Sequence, residues 1–193
     1  GISNKTLLMQ DLVASCNSDS TSRAGAEGLV VGSTDTEVAG ATFADHLTSD
    51  ICHEDVSQFT MEDLQSAMKR TVEAIQGIDE TCGSSGSSLN FAVTDGIRVI
   101  AVRHRTCLNE EPPSLYYAIT VSDGVVESLW VASEPLDKEE SKRIWTLLPK
   151  DSMLSYHSIE GTYTIDCLTE ACERELQRRA TVQETLHRIS AGN

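Results

Sequence analysis

Positive charge is scarce in this sequence. Fifteen Lys and Arg residues face 30 Asp and Glu across 193 positions, leaving a formal charge of -15. Phosphate recognition needs a basic surface, so nucleic-acid binding is excluded as a primary role, and electrostatic docking on anionic lipid goes with it. Long apolar runs are missing too, and no stretch approaches the roughly 18 residues of a membrane-spanning helix. The six cysteines, at 16, 52, 82, 107, 167 and 172, include no Cys-x-x-Cys pair and no tight Cys/His quartet. That removes the usual zinc frameworks and a dithiol redox motif. The five histidines show no His-x-x-x-His spacing, so neither a metal nor another cofactor is expected. The opening residues Gly1 to Lys5 lack the basic and apolar regions of a signal peptide. Reduced thiols in a cytoplasmic protein are therefore the expectation, and Cys52-His53 reads as an incidental neighbour pair. No internal repeat is found.

What remains is an ordinary globular composition, 39% hydrophobic and 23% charged, long enough for a substantial core. Residues 7–13 resemble the end of a helix, residues 16–28 a Ser/Thr/Gly-rich loop, and Leu29 to Val31 a short apolar strand. Thr34 and Glu37 stand in capping-box relation, which predicts a helix running to about Leu47. Thr60 is a second N-cap, followed by Leu64, Met68, Val72 and Ile75 at helical spacing, with Gly77 as the expected stop. Residues 82–88 read as a flexible Gly/Ser connector.

The middle of the chain carries β signals. Leu89–Thr94 and Ile97–Arg103 flank Asp95-Gly96, a two-residue hairpin turn in which both central residues need positive φ. A second pair, Leu115–Val121 and Val125–Ser133, flanks Ser122-Asp123-Gly124. The pattern predicts an antiparallel meander and disfavours a βαβ array. A short helix is expected over 138–148 around Ile144 and Trp145, a strand at Tyr163–Ile165, and a solvated helix or tail over 168–190. Trp130 and Trp145 read as core.

The chemistry is concentrated at Gly32-Ser33-Thr34-Asp35-Thr36-Glu37, where an apolar run meets a helix start. These residue types suit a capped helix N-terminus. They equally suit a carboxylate, Asp35, placed to pair with a substrate ammonium. His46 is expected to face solvent or a carboxylate, and Asp95 to serve its turn.

Residues 32–47 (GSTDTEVAGATFADHL) resemble the glutamine-anchoring segment of the class II glutamine amidotransferases, in which a T-D-[ST]-E sequence opens a helix. Residues 87–103 resemble that family's hairpin, 116–137 its later strands with an Ala-Ser-Glu element, and 145–154 (WTLLPKDSML) a branch that includes the amidotransferase-like subunit of a glutathione-degrading complex. The resemblance implies an α+β fold: part of the αββα sandwich of N-terminal-nucleophile hydrolases. Residues 1–165 would be the C-terminal portion of that domain and 166–193 a polar helical tail. It implies cleavage of a γ-glutamyl amide by an N-terminal cysteine, with Asp35 holding the substrate's α-ammonium and Thr34 beside it. Ser133 and Glu134 would support the pocket floor. Only 34 residues precede Asp35, and none matches the family's nucleophile segment or its His-Asn-Gly element. Cys82-Gly83 imitates the family's start but is internal and has no free α-amine. No catalytic residue is therefore assigned, and the chain alone is expected to be inactive and to need a partner subunit. A meander without its partner sheet would expose apolar surface. The alternative is a non-catalytic interaction subunit.

Overall fold

The computed structural model describes Gln10 and residues 34–49, 59–83, 85–107, 109–136 and 143–178. The loop at 16–28, the strand at Leu29–Val31 and, apart from helical Gln10, the helix end at 7–13 lie outside the described residues.

Helix α1 (Asp35–Ser49) starts as the capping box dictates. The Thr34 hydroxyl accepts from the Glu37 amide at 3.3 Å, and Glu37 Oε2 accepts from the Thr34 amide at 3.1 Å. Helix α2 (Met61–Cys82) is capped the same way by Thr60 and Asp63. Its Leu64, Met68, Val72 and Ile75 form one buried stripe. The stop expected at Gly77 does not occur, because the inward face continues to buried Asp79, whose Oδ2 accepts from the Thr106 hydroxyl at 2.6 Å. The helix ends at Gly83, which takes the left-handed conformation (φ 60°, ψ 37°). The connector beyond it is tied down at its far end. Ser87 is fully buried and its amide donates to Thr106 Oγ1, and Gly86 packs on Cys107.

Seven strands follow: β1 (Ser88–Thr94), β2 (Arg98–Arg105), β3 (Tyr116–Ser122), β4 (Val125–Ala132), β5 (Thr146–Leu147), β6 (Ser152–His157) and β7 (Thr162–Cys167). All pairings are antiparallel, but they do not form one meander. One sheet has the order β1-β2-β6-β7, and the other β4-β3-β5. The helices pack on one face of the four-stranded sheet, burying Val38, Phe43, Met68 and Ile75 against Leu89, Ile100, Val102 and Met153. The opposite face packs on the smaller sheet, with Ala101 and Leu154 meeting Leu115, Leu148, Tyr117 and Val131. The expected unpartnered inner face is thus covered. The two-residue glycine turn sits elsewhere than predicted. Asp123 and Gly124 both take positive φ (51° and 81°) between β3 and β4, whereas at the first hairpin only Gly96 does (φ 91°).

Strand β6 carried no sequence signal. It lies mid-sheet with Met153 toward the helices and Leu154 toward the second sheet, so no polar alternation marks it. The helix expected over 138–148 is absent from 143–148. There Thr146–Leu147 pairs with β3, and the Leu148 amide donates to Leu115 O at 2.9 Å. Residues 170–178 are helical and mostly exposed. Cys167 and Cys172 form a disulfide, so the expectation of reduced thiols fails for this pair; Cys82 and Cys107 are free. Trp130 is 39% exposed with the Arg143 guanidinium 4.2 Å above its ring centroid, and is not core. No helix among the described residues is long and apolar enough to cross a membrane.

Asp95 is fixed by the turn it initiates. Its Oδ1 accepts from the Ile97 and Arg98 amides at 2.9 and 2.7 Å, and Oδ2 from Arg98 Nε at 2.7 Å. Burial alone would raise this carboxyl, but the two amides and the guanidinium outweigh it and hold the group below the usual 3.8. A depressed carboxyl stabilises the fold above the unfolded-state value, and that contribution is lost as pH falls through the folded-state value. We expect Asp95→Asn to cost about 1 kcal/mol at pH 7, a figure reduced for the partial exposure of the pair. In urea melts the gap from wild type should hold to about pH 5 and close below about pH 4.

Candidate functional site

Beside the N-terminus of α1, a cleft of about 360 Å³ opens between that helix and β1. Asp35, Thr36 and Gly40 form its helical wall, Asn90 to Val93 its strand wall, and Met68 and Thr71 lie on α2 beneath. Side chains of successive strand residues point to opposite faces of a sheet. A cleft touched by four consecutive residues therefore runs across the strand's edge, and among the described residues β1 is an edge strand.

The lining is mostly apolar, and among the described residues Asp35 is its one ionisable side chain. A half-buried carboxylate in such surroundings suits a cationic ligand group, because the apolar walls lower the local dielectric and strengthen the pairing. Thr36 lines the cleft. Thr34 does not, and its exposed hydroxyl donates to Glu37 Oε2 at 2.8 Å. An added Cβ at Gly40 would meet nothing within 4 Å, so this wall is left open.

Asn90 is held from behind, its Nδ2 donating to Pro113 O and Ser114 O, both at 3.1 Å. The Ser114 hydroxyl donates in turn to Ser133 O at 2.8 Å. Ser133 thus braces the strand wall through Ser114, while Ser133 and Glu134 are themselves exposed and outside the cleft. His46 is half-buried, and its Nδ1 lies 3.1 Å from Thr71 Oγ1, under the cleft. Cys82 ends α2 and does not line the cleft. Cys52 and His53 lie outside the described residues. Among the described residues, no group of three or more His, Cys, Asp or Glu is placed to hold a metal ion.

Two buried groups escaped the sequence reading. His104 Nδ1 lies 2.8 Å from Asp151 Oδ1, with both side chains at least nine-tenths buried. Arg103 donates to the carbonyls of Pro112, Pro113 and Leu148, and so fastens the 112–113 segment that closes one end of the cleft. Their partners are 9 to 47 residues away in the chain, and no local pattern announces them.

No family model matches the sequence. In an alignment of 148 positions that covers 65% of the chain, it is 32% identical to "Probable glutamine amidotransferase DUG3" of Saccharomyces cerevisiae. The sequence is thus similar to that of a glutamine amidotransferase. A solved glutamine aminotransferase class-II domain protein from Silicibacter pomeroyi superposes with a TM-score of 0.52 over 75% of the chain, at 21% identity, a likeness of fold. The chain spans 41% of the length of the yeast protein and 60% of the bacterial one. The start of α1, whose residues resemble that family's anchoring segment, lines the cleft through Asp35 and Thr36.

Proposed function

We propose that the chain supplies the substrate-holding half of an amidohydrolase acting on γ-glutamyl amides, glutamine or γ-glutamyl peptides. Asp35 pairs with the α-ammonium of the glutamyl group, and the apolar walls take its methylenes. The nucleophile is a cysteine thiolate from polypeptide outside these residues, running along the open edge of β1. It attacks the side-chain amide carbon, the amine leaves, and water hydrolyses the resulting thioester to glutamate. In this reading residues 1–165 belong to the amidotransferase-like domain and 166–193 to a polar tail, the protein works with a partner subunit, and it resides in the cytoplasm. The observation that carries the reading is the Asp35 carboxylate, the one ionisable group lining a mostly apolar cleft among the described residues, on the helix that resembles the family's anchoring segment.

A second reading, a non-catalytic interaction subunit, is favoured by one fact: no cysteine lines the cleft among the described residues. NMR titration of the chain separates the two. L-Glutamine or a γ-glutamyl dipeptide should shift the amides of Asp35, Thr36 and Phe91. The Nα-acetylated compounds, which lack the ammonium, should not, and the chain alone should release no glutamate. Equal shifts from acetylated and free compounds, or none from either, would overturn the assignment of Asp35.

A further inference from the structure

The helical stretch 170–178 carries a single buried residue, Cys172, 5% exposed and disulfide-bonded to Cys167 at the end of β7. Between the two cysteines, Leu168 enters the main core, and its amide donates to Asp151 O at 2.8 Å. Asp151 is the residue that holds His104. The loop from 167 to 172 is thus tied to the backbone of the residue that pairs with His104, a buried histidine whose Nε2 has no hydrogen-bond partner among the described residues. The ion pairs Arg174–Glu170 and Arg178–Glu175 lie within the helical stretch and support its helix. Its docking face is loosely filled. A cavity of about 570 Å³ separates Ala171, Cys172 and Glu175 from Leu148, Lys150 and Asp151.

We propose that the Cys167–Cys172 disulfide is a redox latch that docks residues 170–178 across the cavity from Asp151 when oxidised and releases them when reduced. This inference is independent of the amidotransferase reading. The latch opens by thiol–disulfide exchange with a thiol reductant. An external thiolate attacks the half-buried Cys167 sulfur, the S–S bond breaks, and Cys172 leaves as a thiolate that takes up a proton. A second reductant thiol then attacks the mixed disulfide and frees Cys167, so two cysteine thiols and one oxidised reductant disulfide result. Cys172 lines the cavity, which gives its thiol room to move once released. The separation of five residues keeps the two thiols near each other for re-closure by exchange with a disulfide oxidant, which is reduced to two thiols as the S–S bond re-forms.

The test uses the full 193-residue chain, purified without reductant and then treated with dithiothreitol, read by alkylation with peptide mapping and by amide hydrogen exchange. Before reduction, the 167–172 peptide should carry an intact disulfide while Cys82 and Cys107 alkylate. After reduction, both sulfurs should alkylate and exchange across 168–178 should quicken about tenfold or more, with α2 and β1–β2 unchanged. Cys172→Ser should show the fast exchange without reductant and no response to it. If that variant does not fold, Cys167→Ser takes its place. Finding both cysteines already free, exchange at 168–178 indifferent to reduction, or reduction unfolding the whole chain would overturn the latch.

Discussion

On the proposed γ-glutamyl chemistry, Asp35→Asn is expected to raise KM for a γ-glutamyl substrate roughly 10- to 100-fold while lowering kcat only a few-fold. A charge-assisted hydrogen bond to an ammonium contributes about 1.5–3 kcal/mol, and each 1.4 kcal/mol is tenfold in affinity. The ammonium lies remote from the amide being cleaved, so its pairing is much the same in ground and transition states and appears mainly in KM. Asp35 also opens α1, where its charge favours the helix dipole, so the substitution carries a small stability cost of about 0.3–1 kcal/mol. Glu37→Gln is the control. It perturbs the same helix end but does not touch the cleft, and should leave KM within about twofold while lowering stability comparably. Steady-state kinetics with L-glutamine and a γ-glutamyl dipeptide read the result. An unchanged KM for Asp35→Asn would remove this residue from substrate binding.

Gly86→Ala should be strongly destabilising, costing about 2–4 kcal/mol. Gly86 sits at φ 90°, a conformation that L side chains rarely adopt. Its added Cβ would fall 2.7 Å from Cys107 Cβ and 2.9 Å from the Cys107 backbone nitrogen. Overpacking and backbone strain therefore add, and the backbone atom cannot rotate aside. Gly77→Ala should do the opposite. It lies in the interior of α2 with no neighbouring atom within 4 Å of the new methyl, so the gain in helix propensity should stabilise the chain by about 0.5–1 kcal/mol. Urea midpoints of the two variants should move in opposite directions. Equal shifts would mean that the 85–87 segment is not packed as described.

The two glycines also show where sequence reading succeeds and fails. Gly77 looked like a helix stop because glycine favours C-caps, yet the buried stripe runs past it to Asp79. The connector at 82–88 looked flexible by composition. Its Ser87 is nonetheless fully buried, because its amide is held by the hydroxyl of Thr106, 19 residues away. Local chemistry was reliable where the controlling atoms were local: both capping boxes span three residues, and both hairpins flank their Asp-Gly turns. Asp35 at a helix start was legible for the same reason. The cleft beside it was not, since its second wall comes from β1, more than 50 residues on.

Taken alone, the amino-acid order determined the acidic character, the two capped helices, the paired hairpins and the placement of one carboxylate at a helix N-terminus, all of them consequences of neighbours within a few bonds. Tertiary structure decided that the hairpins enter different sheets, that Ser152–His157 lies between β2 and β7, that His104 meets Asp151, and that Cys167 bonds Cys172. Those outcomes depend on which apolar faces are buried together, and a face covered on both sides leaves no alternation along the chain to be read.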